Sequence, residues 1–164
     1  MAIFFDGAFG TYYRALTGSD APCETANLND ASTVLRIHRE YLQAGATAIK
    51  TNTFQANPAQ FGEAAQWRAV IRRGWALAAQ AARPFGAAVF ADIGNILSPD
   101  AAGDYCRAAR EFLDLGAENF LFETLDDFDP LREALALAKS RGARAIVSFA
   151  VGQDGYTRAG AHYA

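Results

Sequence analysis

The sequence predicts an α/β fold of parallel (β/α) units, and three observations predict it. Short runs rich in Ile, Val and Phe alternate with stretches of helical period. A Gly-Ala pair stands directly before four of the runs: Gly45-Ala46, Gly86-Ala87, Gly116-Ala117 and Gly142-Ala143. The runs close on polar residues, at the end where parallel α/β folds gather their reactive groups. At 164 residues the chain is shorter than the roughly 250 of a closed (β/α)8 barrel. The expectation is one α/β domain, residues 1–164, too short to close such a barrel.

The expected strands are Ala2–Asp6, Ala46–Phe54, Ala87–Asp92, Ala117–Glu123 and Ala143–Val151, continuous enough in apolar residues to be buried on both faces. Between them, Val34, Ile37, His38, Tyr41 and Leu42 share one helical face. Tyr105, Ala108, Ala109, Phe112 and Leu113 repeat that spacing, and Leu131, Ala134, Leu135 and Ala138 repeat most of it. Pro58 to Ala82 reads as one long helix or two short ones. Glycine before each later strand is expected to end the preceding helix in the left-handed conformation, which carries no Cβ penalty there. Ser98-Pro99 and Asp129-Pro130 are expected to begin helices, as capping residues before a proline in the first turn.

Composition narrows the function classes. A net charge of -3 and a pI near 5.3 exclude a basic nucleic-acid surface. No apolar stretch reaches the roughly 20 residues of a membrane span, and no secretory leader is visible at Met-Ala-Ile-Phe-Phe-Asp. Two cysteines, Cys23 and Cys106, make no disulfide scaffold, and a cytoplasmic location is expected. Neither has a second Cys or His at metal-ligand spacing, so no metal ligand is assigned. His38 falls in the apolar stripe of its helix and is expected to be a packed core residue.

The run ends carry the chemistry: Asp6, then Thr51-Asn52-Thr53, then Asp92, Glu123 and Ser148. Carboxylates at the ends of buried strands either cap neighbouring loops or form an acidic cup suited to an ammonium group. Asp6-Gly7-Ala8-Phe9-Gly10-Thr11 lacks the third glycine of a dinucleotide loop and the Lys of a P-loop. What it offers is a turn of exposed backbone N–H groups beside a carboxylate, both halves of an amino-acid clamp.

Asp6-Gly7-Ala8-Phe9-Gly10-Thr11 also resembles the opening motif of the homocysteine S-methyltransferase family. The resemblance continues in order through Asn27-Leu28 with Val34–Ala46, Thr51-Asn52-Thr53-Phe54-Gln55-Ala56-Asn57, Ala91-Asp92-Ile93-Gly94, Leu121-Phe122-Glu123-Thr124, and Ser148-Phe149 with Asp154-Gly155 and Gly160. It implies a (β/α)8 TIM barrel, of which this chain would be the incomplete N-terminal part, that binds homocysteine at the strand C-termini, with zinc on three cysteines activating the thiol for methyl transfer to give methionine. It further implies that Asp6 and Glu123 bind the ammonium, that Gly7 and Ala8 receive the carboxylate, and that Thr51, Asn52 and Thr53 line the pocket.

The sequence departs from that pattern at its zinc cysteines, which the family carries on later strands. This chain is therefore expected to bind no zinc by itself and to be inactive alone, with zinc belonging to the complete barrel. Expected partners are homocysteine or a related amino acid and a C-terminal complementing chain or a second copy, with no nucleic acid and no membrane. Lys50 and Asn95 stand where the family commonly has Glu or Gln and Pro. The alternatives are a non-catalytic amino-acid-binding or assembly module, as a remnant or split subunit, and a doubly wound domain binding at a switch in strand order.

Overall fold

A computed structural model of the chain describes residues 2–62 and 64–162. Strands β1 (Ala48–Lys50), β2 (Ala88–Ile93), β3 (Asn119–Leu125) and β4 (Arg144–Phe149) form one parallel sheet in the order β1-β2-β3-β4. Chain order and spatial order coincide, which is the winding of a barrel. A doubly wound sheet would reverse direction at a switch point, so that alternative is corrected. Helices α5 (Ala64–Ala82), α6 (Ala101–Asp114) and α7 (Arg132–Ser140) make the three crossovers, and α1 (Phe9–Thr17), α2 (Ala26–Asn29) and α3 (Ala31–Gln43) precede β1.

The two-residue alternation of strands sorts the sheet into two faces. Trp67, Val70 and Ile71 of α5 and Tyr105 and Phe112 of α6 pack on Ala91, Ile93, Phe120 and Phe122, forming the main core between sheet and helices. The opposite face carries Ala48, Phe90 and Leu121 as a small apolar layer. One strand repeat further, the same face presents Lys50, Asp92 and Glu123. The change from apolar to charged occurs in a single step, and it builds the site.

Glycines 45, 86, 116 and 142 all have positive φ, from 61° to 105°, which explains the repeated Gly-Ala signal. The apolar stripe of α3 holds, with Val34, Ile37 and His38 fully buried. Pro58 to Ala82 divides into α4 (Pro58–Phe61) and α5, after Gly62 at φ 69°; residue 63 of that stretch lies outside the described residues.

Four expectations are corrected. Ala2–Asp6 is not a full strand but a single parallel bridge, Phe5 to Ala48. The Phe4 N–H is diverted to the Thr47 hydroxyl (2.9 Å), and the Phe4 carbonyl accepts from both Thr47 and Ala48, so no regular ladder develops. Helix α6 starts at Ala101, capped by Asp100, whose carboxylate accepts from Gly103 N–H; Ser98 instead donates to Asp104 (2.6 Å). Asp129-Pro130 opens a 3-10 turn, Asp129–Leu131, that runs into α7 without a side-chain cap. The strands are also not uniformly buried on both faces, since Arg144 and Ile146 of β4 are exposed.

Candidate functional site

A cavity of about 570 Å³ lies at the C-terminal ends of the strands, lined by Asp6, Gly7, Ala8, Lys50, Thr51, Asn52, Thr53, Asp92 and Glu123. Every residue expected to bind substrate therefore meets in one place. Cys23, Glu24, Phe54 and Thr124 join them.

Asp6 sits beside β1 because its own N–H donates to Ala48 C=O, while its Oδ2 accepts the Lys50 N–H at 3.1 Å. Its Oδ1 is buried without a hydrogen-bond partner, and so is Oδ1 of Asp92. Burial pushes the Asp6 carboxyl up to about 7, against the pull of the Lys50 N–H and ammonium. Burial, then the neighbouring Glu123, holds the Asp92 carboxyl well above the ordinary carboxylate range. Lys50 Nζ lies 3.2 and 3.4 Å from the two carboxylate oxygens of Glu123. Burial works against its charge, but Glu123, Asp92 and Asp6 outweigh it and raise its pKa.

Turn geometry places the remaining groups. Gly7 has no room for a side chain, because a Cβ there would lie 2.8 Å from the Tyr41 hydroxyl, which donates to Ala8 C=O. Ala8 precedes α1, whose first turn has no side-chain cap, leaving a helix N-terminus facing the cavity that suits an anion. Thr124 takes φ 62°, uncommon for a β-branched residue, at a break in the β3–β4 register. Its N–H donates to Ser148 Oγ (3.1 Å), so Ser148 supports the bend beside Glu123 and does not line the cavity.

Behind the floor lies a buried amide network that sequence reasoning did not assign. Asn27 Nδ2 donates to the carbonyls of Asn52 (2.7 Å) and Val70 (3.1 Å), and Asn52 Nδ2 donates to Asn27 Oδ1 and to Cys23 C=O. Glu24, also buried, accepts the Gln55 N–H at 3.0 Å. The available signals were Asn27-Leu28 within the resemblance and a second polar residue, Glu24, in the same loop-to-helix passage. The Cys23 thiol donates to Asn52 Oδ1 (3.2 Å), and burial, then Glu24, pushes it up to about 12. A thiol so held is a poor nucleophile and a poor metal ligand.

Among the described residues no three His, Cys, Asp or Glu side chains are grouped to hold a metal ion. Cys106 is in α6, packed against the outer core rather than at the cavity. These residues do not fit the zinc that the resemblance implies.

A parallel sheet wound in chain order, with buried carboxylates at its C-terminal edge, defines part of a (β/α)-barrel scaffold. The family model described as homocysteine S-methyltransferase matches residues 3–163. The chain belongs to that family. It is 30% identical over 172 residues to methionine synthase of Mycobacterium tuberculosis, across 88% of this chain and 14% of that protein. Among solved structures, the metallated form of homocysteine methyltransferase MmuM from Escherichia coli gives a TM-score of 0.81 at 24% identity, covering 98% of this chain and 67% of that one. Its oxidized form gives 0.80 at 23% identity, covering 97% and 65%. At those identities the likeness is one of fold. The chain thus spans 14% of the length of the curated relative and 65% of the oxidized MmuM chain. No helix among the described residues is long and apolar enough to cross a membrane.

Proposed function

We propose that this chain holds homocysteine, or a closely related amino acid, for methyl transfer to sulfur. The carrying observation is the pair of buried carboxylate oxygens without partners, Asp6 Oδ1 and Asp92 Oδ1, in the same cavity as Glu123 and the N-terminus of α1. An ammonium supplies the missing donors, and the uncapped first turn beyond Gly7 and Ala8 receives the carboxylate. Thr51, Asn52 and Thr53 form the wall between them. The chain's own residues bind and orient the ligand, and thiolate formation falls to groups outside this set. Zinc supplies that chemistry when a site for it is complete. By itself the chain is a substrate-holding portion without methyl transfer.

Calorimetric titration of L-homocysteine under reducing conditions tests the reading, with Asp6→Asn and Glu123→Gln alongside. Asp6→Asn is expected to weaken binding about tenfold or more, as removal of a charge-assisted hydrogen bond does, and Glu123→Gln, whose carboxylate Lys50 already holds, to weaken it less. Binding indifferent to both changes overturns the clamp.

A second reading, an assembly module, has its own support at the sheet edges. Ile3 and Phe4 beyond β1 are 52% and 62% exposed, and Ile146 on β4 is 39% exposed. Open apolar edges favour pairing with a complementing chain or a second copy. Sedimentation equilibrium would read a dimer, and a strictly monomeric chain at high concentration overturns the second-copy form.

A further inference from the structure

Lys50 is the feature of the cavity that an ammonium-binding site does not require. The strand alternation that aims Asp92 and Glu123 into the cavity aims Lys50 there as well. Its backbone is fixed at the sheet by the bond from its N–H to Asp6 Oδ2, and its side chain is only 16% exposed. The ammonium meets both oxygens of Glu123, at 3.2 and 3.4 Å, so the pair is closed and bidentate. A tethered ammonium competes at an effective concentration in the millimolar range or above. A free α-ammonium must displace it or enter beside a like charge.

We propose that Lys50 is an internal stand-in for the ligand's ammonium at Glu123, so that the cavity discriminates less strongly between small thiol acids with and without an α-amino group. This rests on the reading that the cavity holds a homocysteine-like ligand. The carboxylate of such a ligand still meets the turn at Gly7 and Ala8, and its thiol still meets the wall of Thr51 to Thr53. Lys50 answers Glu123 in place of the amine. Amine recognition then depends on Asp6 and Asp92 alone, and Lys50 sets how strongly an amine-bearing ligand is preferred.

The test compares the affinities of L-homocysteine and 4-mercaptobutyrate, its analogue without the amine, for the wild-type chain, Lys50→Gln and Lys50→Arg. The wild-type chain and Lys50→Arg should prefer homocysteine by ratios within about threefold of each other, and Lys50→Gln should raise that ratio about tenfold or more. A merely structural role for Lys50 would change both affinities together and leave their ratio alone. Should Lys50→Gln fail to fold, Lys50→Met takes its place, and an unchanged ratio there overturns the proposal and leaves the clamp standing. An unchanged ratio in folded Lys50→Gln also overturns it. Binding of neither ligand by any of the three overturns the clamp as well.

Discussion

The hydroxyls of Thr51 and Thr53 lie 2.6 Å apart and together hold both backbone groups of Asp92. Thr53 Oγ1 donates to Asp92 C=O (2.8 Å), and Asp92 N–H donates to Thr51 Oγ1 (3.0 Å). Because the Thr53 proton is committed to Asp92, the Thr51 proton must point to Thr53. The two residues clamp β2 at the point where its acidic side chain enters the cavity. The clamp explains why a Thr-x-Thr arrangement stands at this strand end.

Thr53→Val is isosteric and leaves Asp92 C=O and the Thr51 hydroxyl without their partner. It is expected to destabilise the chain by about 1–3 kcal/mol, read from the urea midpoint at unchanged m-value. Loss below about 0.3 kcal/mol would show that the hydroxyl pair does not hold the strand end.

Gly74 lies inside α5, where alanine is ordinarily favoured by about 1 kcal/mol. A Cβ here would stand 2.6 Å from Asn27 Nδ2 and 2.8 Å from Thr53 Cγ2. That contact disturbs the amide network behind the cavity floor, so the sign reverses. Gly74→Ala is expected to lower stability by about 1–3 kcal/mol, and a raised melting temperature would contradict the close approach.

Two buried groups give opposite pH dependences. The folded-state pKa of Asp6, about 7, exceeds the unfolded value of about 4. Its stabilising contribution is therefore full below about pH 4 and is lost as pH rises towards 7. Asp92 acts in the same direction. His38, whose two ring nitrogens are buried without partners, is pushed down to about 4 by burial. Its folded value lies below the unfolded value of about 6.5, so its contribution is present above pH 6.5 and is lost as pH falls towards 4.

Between about pH 4 and 6.5 each group changes stability by up to about 1.4 kcal/mol per pH unit, with opposite sign. Relative to wild type, Asp6→Asn should gain stability as pH rises and His38→Leu should lose it. Urea midpoints at three pH values across that window check both. Differences from wild type that do not vary with pH would show that neither proton is held by burial.

Much of the site was legible because strands and turns write it locally. Asp6, Thr51, Asn52, Thr53 and Glu123 stand at run ends, and period-two alternation turns Lys50, Asp92 and Glu123 to one side. The cap positions were less legible. Whether Ser98 or Asp100 caps α6 depends on Ser98 finding Asp104 as a partner, and chain order does not reveal that competition. The first strand was overestimated because apolar content in Ile3 and Phe4 says nothing about where the Phe4 N–H is directed.

What the sequence by itself determined was the unit of construction, parallel strands joined by helical crossovers, and the residue types that reach the C-terminal rim. Those follow from periodicity and from glycines at φ values that other residues avoid. What only the tertiary structure decided was the pairing among those residues. Lys50 and Glu123 are 73 positions apart and meet ion to ion, whereas Asp6 and Asp92 each keep one buried oxygen without a partner. Burial and distance set those charges, and neither quantity exists until the sheet has formed. The acidic rim expected from the sequence is therefore, in the folded chain, a cup already holding one ammonium of its own.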